Sequence, residues 1–389
     1  MAEQATRLEV IDADGHVIEP DVVWKEYAEP AYRDILDRPG GGFVQVTGIQ
    51  RAYPDMPPDL LGRESGDESE AAWGSADVAG SDSWEEESKL KMGRPGGYDP
   101  VARLVDMDAD GIDVAVLYPT AMLTWVEEAD IFGAACRAYN NWLRDYCAAA
   151  PDRLYGVALV PLQDPQAAIV EMERAVEQLD FKAVMIRPAP YIGTEKFNHP
   201  DYDPFWAAAA ALGCPIGIHP SPHGDMPNTC RVFGLADGVT NPGEGLAIRQ
   251  GLTNAFDLQL ALAYFTLGGI CERHPNLRVA FLEGTGGWVV PMLQRFDHQF
   301  EIFGSVDQVT RPSEVFANQC MISFDPDEVA LAFTAEHLGA DKILWASDYP
   351  HPDAKIPGVV EELHEAVASL PAESQRLIVG ATARTFYQL

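Results

Sequence analysis

The stretch Leu8-Glu9-Val10-Ile11-Asp12-Ala13-Asp14-Gly15-His16-Val17 decides how the rest of the chain is read. It opens as a short β-branched run, the pattern of a candidate strand. It closes on Asp14-Gly15-His16-Val17, where a doubly wound open sheet would carry a Gly-rich phosphate turn. This turn instead presents a carboxylate and an imidazole two residues apart, and strand alternation sends both to one face. Working outward, seven similar runs follow at Asp113–Tyr118, Leu154–Val160, Lys182–Arg187, Pro215–His219, Arg278–Glu283, Gln319–Phe324 and Lys342–Ser347. Helical patterns separate them at about Val101–Asp110, Glu127–Ala149, Pro165–Leu179, Pro204–Leu212, Leu252–Arg273, Gly287–Phe303 and Asp327–Leu338, with a last one at Val359–Leu370. Eight strands each followed by a helix is the arithmetic of a (β/α)8 barrel. The expected architecture is therefore α/β, one barrel domain over residues 1–389, with a long insertion after the first strand.

That insertion spans residues 21–99 and is acidic: Glu64–Glu87 holds nine acidic residues and no basic one, together with Trp73 and Trp84. Such a composition reads as a solvated, partly flexible loop, or as a lid or dimer arm anchored by the tryptophans. A second irregular stretch, Pro220–Gly251, is rich in Gly, Pro and Asn, and loops this long within a compact domain are usually functional.

Composition narrows the function classes. With 27 Lys and Arg against 60 Asp and Glu, the formal charge is −33, so the surface repels phosphate backbones and anionic headgroups. Neither nucleic acid nor a membrane is an expected partner. The longest quasi-apolar run, Phe205–Ile218, is broken by Gly213 and Pro215 and is too short to span a bilayer. The first residues lack the basic start and apolar core of a signal peptide, so a cytoplasmic location is expected. Six cysteines without CxxC spacing read as buried free thiols.

In a parallel barrel the active site is built at the C-terminal strand ends. There the sequence places Asp14 and His16 (strand one), Arg187 (four), His219 (five), Glu283 (six) and Asp348 (after eight). A buried cluster of Asp, His, His, Glu and Asp would suffer desolvation and mutual repulsion of its carboxylates, and a divalent cation relieves both. Blander roles exist for each: Asp14 and Asp348 as turn formers, the histidines as satisfied core residues, Glu283 as a helix-terminal charge, Glu19 as a surface acid beside Pro20. His223 and His351 lie just beyond two candidate ligands and could hydrogen-bond substrate or orient a ligand. Arg187 could clamp a substrate carboxylate bidentately or pair with an acid inside the barrel.

Four segments together carry a resemblance: Asp12-Ala13-Asp14-Gly15-His16-Val17-Ile18-Glu19-Pro20, Gly217-Ile218-His219-Pro220, Phe281-Leu282-Glu283-Gly284-Thr285-Gly286-Gly287-Trp288 and Trp345-Ala346-Ser347-Asp348-Tyr349-Pro350-His351. In this order the chain resembles the amidohydrolase-related (amidohydrolase 2) family of metal-dependent TIM-barrel hydrolases and non-oxidative decarboxylases. The resemblance implies metal ligation by Asp14, His16, His219 and Asp348. Two positions depart from the family pattern: the first ligand, usually His or Glu, is Asp14, and the strand-six His of decarboxylase-type members is Glu283. The extra carboxylates, with Glu19 included, provide donors for one or two ions of Zn, Mn or Fe.

These features point first to a metal-dependent hydrolase acting on an amide, ester, thioester or lactone of a small molecule. In that reading Asp348 holds the attacking water and shuttles its proton, and Glu283 is the general base or a metal bridge. The alternative is a non-oxidative decarboxylase of an aromatic or unsaturated acid, favoured by Arg187 and disfavoured by Glu283. A barrel without catalysis, serving as a binding protein, is a third reading that the retained ligand set speaks against. A homodimer is expected from the resemblance and the insertion.

Overall fold

The computed structural model describes residues 7–37, 93–123, 126–191, 196–221, 242–304, 308–352 and 354–389. Eight strands, β1 (Ile11–His16), β2 (Val114–Tyr118), β3 (Leu154–Leu159), β4 (Ala183–Ile186), β5 (Ile216–Ile218), β6 (Val279–Phe281), β7 (Cys320–Phe324) and β8 (Ile343–Trp345), form one parallel sheet in chain order. Helices α1 (Pro100–Asp110), α2 (Ala129–Cys147), α3 (Pro165–Leu179), α4 (Asp203–Leu212), α5 (Pro242–Phe265), α6 (Val289–Phe303), α7 (Leu331–Leu338) and α8 (Val359–Val367) run between and after the strands. This is the (β/α)8 barrel. The strands are shorter than their apolar runs, and Arg187, His219, Glu283 and Ser347 lie one or two residues beyond β4, β5, β6 and β8.

Local chemistry sets several helix starts. Asp99 and Asp164 each accept two backbone N–H groups, ahead of Pro100 and Pro165 at the first helical positions of α1 and α3. The Asp carboxylate satisfies orphan donors while proline supplies a preset φ. The helix expected over Leu252–Arg273 is two: α5 ends at Phe265, and Gly269 at φ 75 turns the chain before Ile270–Arg273. α7 begins later than its apolar pattern because Glu328 accepts the N–H groups of Asp325 and Gly286, which holds that stretch as a loop. A helix at Pro312–Gln319 and a helical C-terminal segment from Ala372 to Tyr387 are additions that the repeat did not foresee. Tyr387 ends that segment beneath the barrel, its hydroxyl 2.9 Å from the Tyr118 hydroxyl and donating to Ala13 O at 3.1 Å.

The ends of the 21–99 stretch are packed on the barrel. Val23–Tyr27 forms one helical turn with Trp24 buried, and Glu29 pairs with Arg137 of α2 at 2.6 Å. The acidic run Glu64–Glu87, with Trp73 and Trp84, lies outside the described residues. Cys136, Cys147, Cys214, Cys271 and Cys320 are buried free thiols. Among the described residues no helix is long and apolar enough to cross a membrane.

Two irregularities in β1 position the site. Its register against β2 shifts between Asp12 and Gly15, a bulge of the kind that re-aims side chains at a barrel rim. Gly15 is required there, since a Cβ would lie 2.5 Å from the Arg103 guanidinium and 2.7 Å from the Asp12 carboxylate. On its other edge β1 has no backbone ladder with β8 among the described residues. The seam is closed by the Asp12 side chain, which accepts Ser347 N at 3.0 Å and Ser347 Oγ at 2.6 Å, and by one backbone bond beyond β8, His16 N to Tyr349 O at 2.7 Å.

Candidate metal centre

Six side chains meet at the C-terminal mouth: Asp14 and His16 from β1, His219 after β5, Glu283 after β6, and Asp348 and His351 from the loop after β8. Asp14, His16 and His219 form one compact group of possible ligand atoms, and His16, Glu283, Asp348 and His351 form a second. They share His16, whose Nε2 lies 3.3 Å from Asp348 Oδ1 and 3.7 Å from both Asp14 Oδ1 and Glu283 Oε2. His219 Nε2 lies 2.9 Å from Glu283 Oε2 and 3.8 Å from Asp14 Oδ2. Donors bound to a single divalent ion at about 2.0–2.2 Å sit roughly 3 to 4 Å from one another, so the spacing within each of the two groups is that of ion ligands, with His16 common to both.

The imidazoles are preset for that role. His16 Nδ1 lies 2.7 Å from Pro119 O and His219 Nδ1 lies 2.8 Å from Pro220 O. A carbonyl oxygen only accepts, so each Nδ1 carries the proton and Nε2 faces the cluster, the arrangement by which metal-binding histidines are usually fixed. Both oxygens of Asp14 and Nε2 of His16 are buried without a hydrogen-bond partner. Orphaned polar atoms of this kind are costly unless something absent from the chain satisfies them.

Electrostatics agrees. Burial pushes Asp14 well above the usual carboxylate range, with His219 opposing and Glu283 reinforcing. Burial, helped by His351 and His219, holds His16 well below the ordinary imidazole range. Burial alone would also lower His219, but the adjoining Glu283 and Asp14 carboxylates raise it to about 9. Without a cation, one proton therefore stands in for it at His219.

Glu283 and Asp348 have backbone φ of 53° and 52°, the left-handed region that side-chain-bearing residues rarely adopt. Strain of this kind persists only where the surroundings enforce it. Ser323 Oγ accepts Glu283 N at 3.2 Å, Ser347 Oγ accepts Tyr349 N at 3.1 Å, and His351 N donates to Asp348 O at 2.8 Å. Glu283 and Asp348 are also the partly exposed donors, at 20% and 14%, against 0–1% for Asp14, His16 and His219. Among the described residues, the cluster is thus open on the Glu283–Asp348 side.

Other residues singled out in the sequence fall elsewhere. Glu19 is not brought to the cluster: its carboxylate accepts the N–H groups of Thr120, Ala121 and Met122 at 2.9–3.2 Å. Those bonds occupy both oxygens, and Glu19 anchors the loop after β2. Burial raises it to about 7 despite the backbone donors. Arg187 is buried after β4, its guanidinium 5.3 Å from the Tyr191 ring centre. His223 lies outside the described residues. His351 is placed against the cluster, with Nδ1 2.6 Å from Asp348 Oδ1, Nε2 2.9 Å from Thr120 Oγ1, and its ring stacked on His16 at 4.0 Å. Asp12, Ser347 and Arg103 escaped the sequence reading. Asp12 lies within the decisive stretch, but its partners lie 335 and 91 residues away, beyond any local pattern.

A (β/α)8 barrel carrying a buried cluster of histidines and carboxylates at its C-terminal mouth has the form of an enzyme built around a cation. Residues 11–389 match the family model described as amidohydrolase, and the chain belongs to that family. It is 27% identical to the gamma-resorcylate decarboxylase of Rhodococcus jostii over 307 residues, 74% of this chain and 87% of that protein. It is 24% identical to the 2-amino-3-carboxymuconate-6-semialdehyde decarboxylase of Dictyostelium discoideum over 300 residues, 75% and 77% of the two chains. Among solved structures, the 5-carboxyvanillate decarboxylase of Novosphingobium aromaticivorans with bound manganese and 3-methoxy-4-hydroxy-5-nitrobenzoic acid aligns with a TM-score of 0.69 at 18% identity, covering 100% of this chain and 99% of that one.

Proposed function

We propose that this chain is a metal-dependent, non-oxidative decarboxylase of a small aromatic or unsaturated carboxylic acid, and that Asp14, His16, His219 and Asp348 hold one divalent ion, manganese being favoured. The observation that carries the metal reading is the set of donors in which His16 lies 3.3 Å from Asp348 and 3.7 Å from Asp14, and His219 lies 3.8 Å from Asp14, with both imidazoles pinned through Nδ1. Decarboxylation is supported by the curated relatives and by the manganese and substituted benzoic acid in a structural neighbour. It therefore takes precedence over the hydrolase reading drawn from sequence, to which nothing in the relatives lends support.

A divalent ion held by Asp14, His16, His219 and Asp348 would supply an electrophile for the oxygens of an acidic substrate. The chain's own groups do the rest. The bond between ring carbon and carboxyl carbon breaks, its electron pair stays on the ring carbon, and that carbon takes a proton. Glu283, on the open side of the cluster, is the side chain placed to pass that proton to the ring carbon. His351 holds Asp348 through Nδ1 at 2.6 Å.

Hydrolysis remains the competing reading through one feature, Glu283 at the position where decarboxylase-type members carry His. The test is elemental analysis of protein purified without added metal, followed by headspace carbon dioxide measurement with ortho-hydroxybenzoates and a parallel screen of esters, lactones and amides. One ion per chain and carbon dioxide release are expected. Cleavage of an ester, lactone or amide without carbon dioxide from any acid would return the chain to the hydrolases.

A further inference from the structure

Helix α1 presents Arg103, Asp106 and Asp110 along one face, at spacings of three and four residues, to the loop after β8. Asp106 accepts the Tyr349 hydroxyl at 2.5 Å, and Asp110 accepts Gly358 N at 2.6 Å. Arg103 reaches deepest. Its side chain is 1% exposed, and NH1 donates to His16 O at 2.8 Å and lies 3.5 Å from Tyr349 O. NH2 lies 3.9 Å from Asp12 Oδ2, and the guanidinium covers the Tyr349 ring at 4.2 Å.

This is the unlathed edge of the barrel, where β1 and β8 share no ladder among the described residues. His16 N also donates to Tyr349 O at 2.7 Å, so the two peptide units that Arg103 grips are already joined to each other. One of them belongs to the ligand candidate His16, and the other follows the ligand candidate Asp348. Gly15, the residue between Asp14 and His16, has no room for a Cβ because the guanidinium fills that space. A planar fork with donors in fixed directions can hold two carbonyls and face a carboxylate at once, which a lysine ammonium on a flexible stem cannot reproduce.

We propose that Arg103 is a positioning residue of the metal centre: by fixing the His16 and Tyr349 peptides across the β1–β8 seam it sets the separation between the strand-one donors and Asp348. The proposal rests on the metal reading above and adds a residue that touches neither ion nor substrate. Partners that orient metal ligands are typically worth 10- to 100-fold in affinity.

The test is titration of chelator-stripped apoprotein with Mn2+, followed by isothermal calorimetry and by the electron paramagnetic resonance spectrum of the bound ion. R103K keeps a cation beside Asp12 but loses the fork. It is expected to raise the Mn2+ Kd about 10- to 100-fold and to alter the spectrum, with the thermal unfolding of the apoprotein changing little. D110A, which cuts a different α1 contact to the same loop, is expected to lower stability while leaving the Mn2+ Kd near that of the wild type. Should R103K not fold, D12N/R103Q leaves neither buried charge alone and is read the same way. Wild-type binding with an unshifted Kd in the Arg103 variant, or an equal loss in D110A, overturns the proposal. Failure of the wild-type chain to bind Mn2+ overturns the metal reading itself.

Discussion

Metal binding to the apoprotein should strengthen steeply with pH, because ion and proton compete for the same lone pair. His219 is raised to about 9 by Glu283 and Asp14, so near neutrality the empty site carries an imidazolium whose Nε2 must lose its proton before it can ligate. For one competing proton at that value, apparent affinity is reduced about 1000-fold at pH 6, about 100-fold at pH 7 and about tenfold at pH 8. The Mn2+ Kd should therefore fall about tenfold per pH unit across this range, with about one proton released per ion. Burial lifts Asp14 in the same direction, which adds to the slope at its acidic end. The linked effect on the metal-free fold has a definite sign. A histidine raised above its ordinary 6.5 contributes stability that is complete below that value and lost as pH climbs through about 9. The melting temperature of the apoprotein should decline over that window, and that of the loaded protein should decline less. Calorimetric titrations at three pH values, each in two buffers of different ionisation enthalpy, measure both Kd and proton release. Glu283→Gln removes a main partner of the imidazolium and should flatten the slope at its alkaline end. A Kd independent of pH, with no proton released, would refute the reasoning.

Gly15→Ala forces a methyl group against Arg103 and Asp12, at 2.5 and 2.7 Å. It should cost about 1–3 kcal/mol by overpacking and weaken metal binding, which denaturant unfolding and calorimetry would report; unchanged stability would show that the bulge is soft. Glu19, raised by burial from 4.5 to about 7, takes up a proton more readily folded than unfolded, so its contribution to stability falls as pH rises between those values. The difference is worth about 3 kcal/mol, and Glu19→Gln should flatten unfolding free energy across that interval, whereas an unaltered pH profile would count against it. Glu283→His restores an imidazole at the strand-six end and should retain or raise carbon dioxide release, while Glu283→Gln should lower turnover by about 10²–10⁴. Near-wild-type turnover by Glu283→Gln would reduce Glu283 to a structural charge.

The barrel was legible because each strand is an apolar run too short to be a helix and each is followed by a segment of helical period. What the repeat could not convey are the places where local pattern and backbone disagree. Gly268 and Gly269 break an otherwise continuous helical stretch, and the Glu328 carboxylate holds the residues before α7 as a loop. Within the site, Asp14, His16, His219, Glu283 and Asp348 could be named because strand ends are where a barrel gathers function. Glu19 shows the limit of that rule. Its position near β1 suggested the cluster, but three amides of the loop after β2 capture it. Arg103 shows the converse, since a basic residue on an amphipathic helix reads as surface, and only the fold turns it inward to meet carbonyls 87 and 246 residues away.

The seam between β1 and β8 gives the centre an order of assembly. Contacts such as Asp12 with Ser347 span 335 residues, so they form only when the first and last strands have met. Bringing such distant segments together is the slow, entropically costly part of building a fold. A chain still lacking its eighth strand holds Asp14, His16 and His219 but neither Asp348 nor the hydroxyl and amide that steady Asp12. Ion capture at full affinity would then mark completion of the barrel. Because an ion that favours the closed form stabilises it by mass action, the same cation that serves the chemistry would act as the latch on the last joint to close.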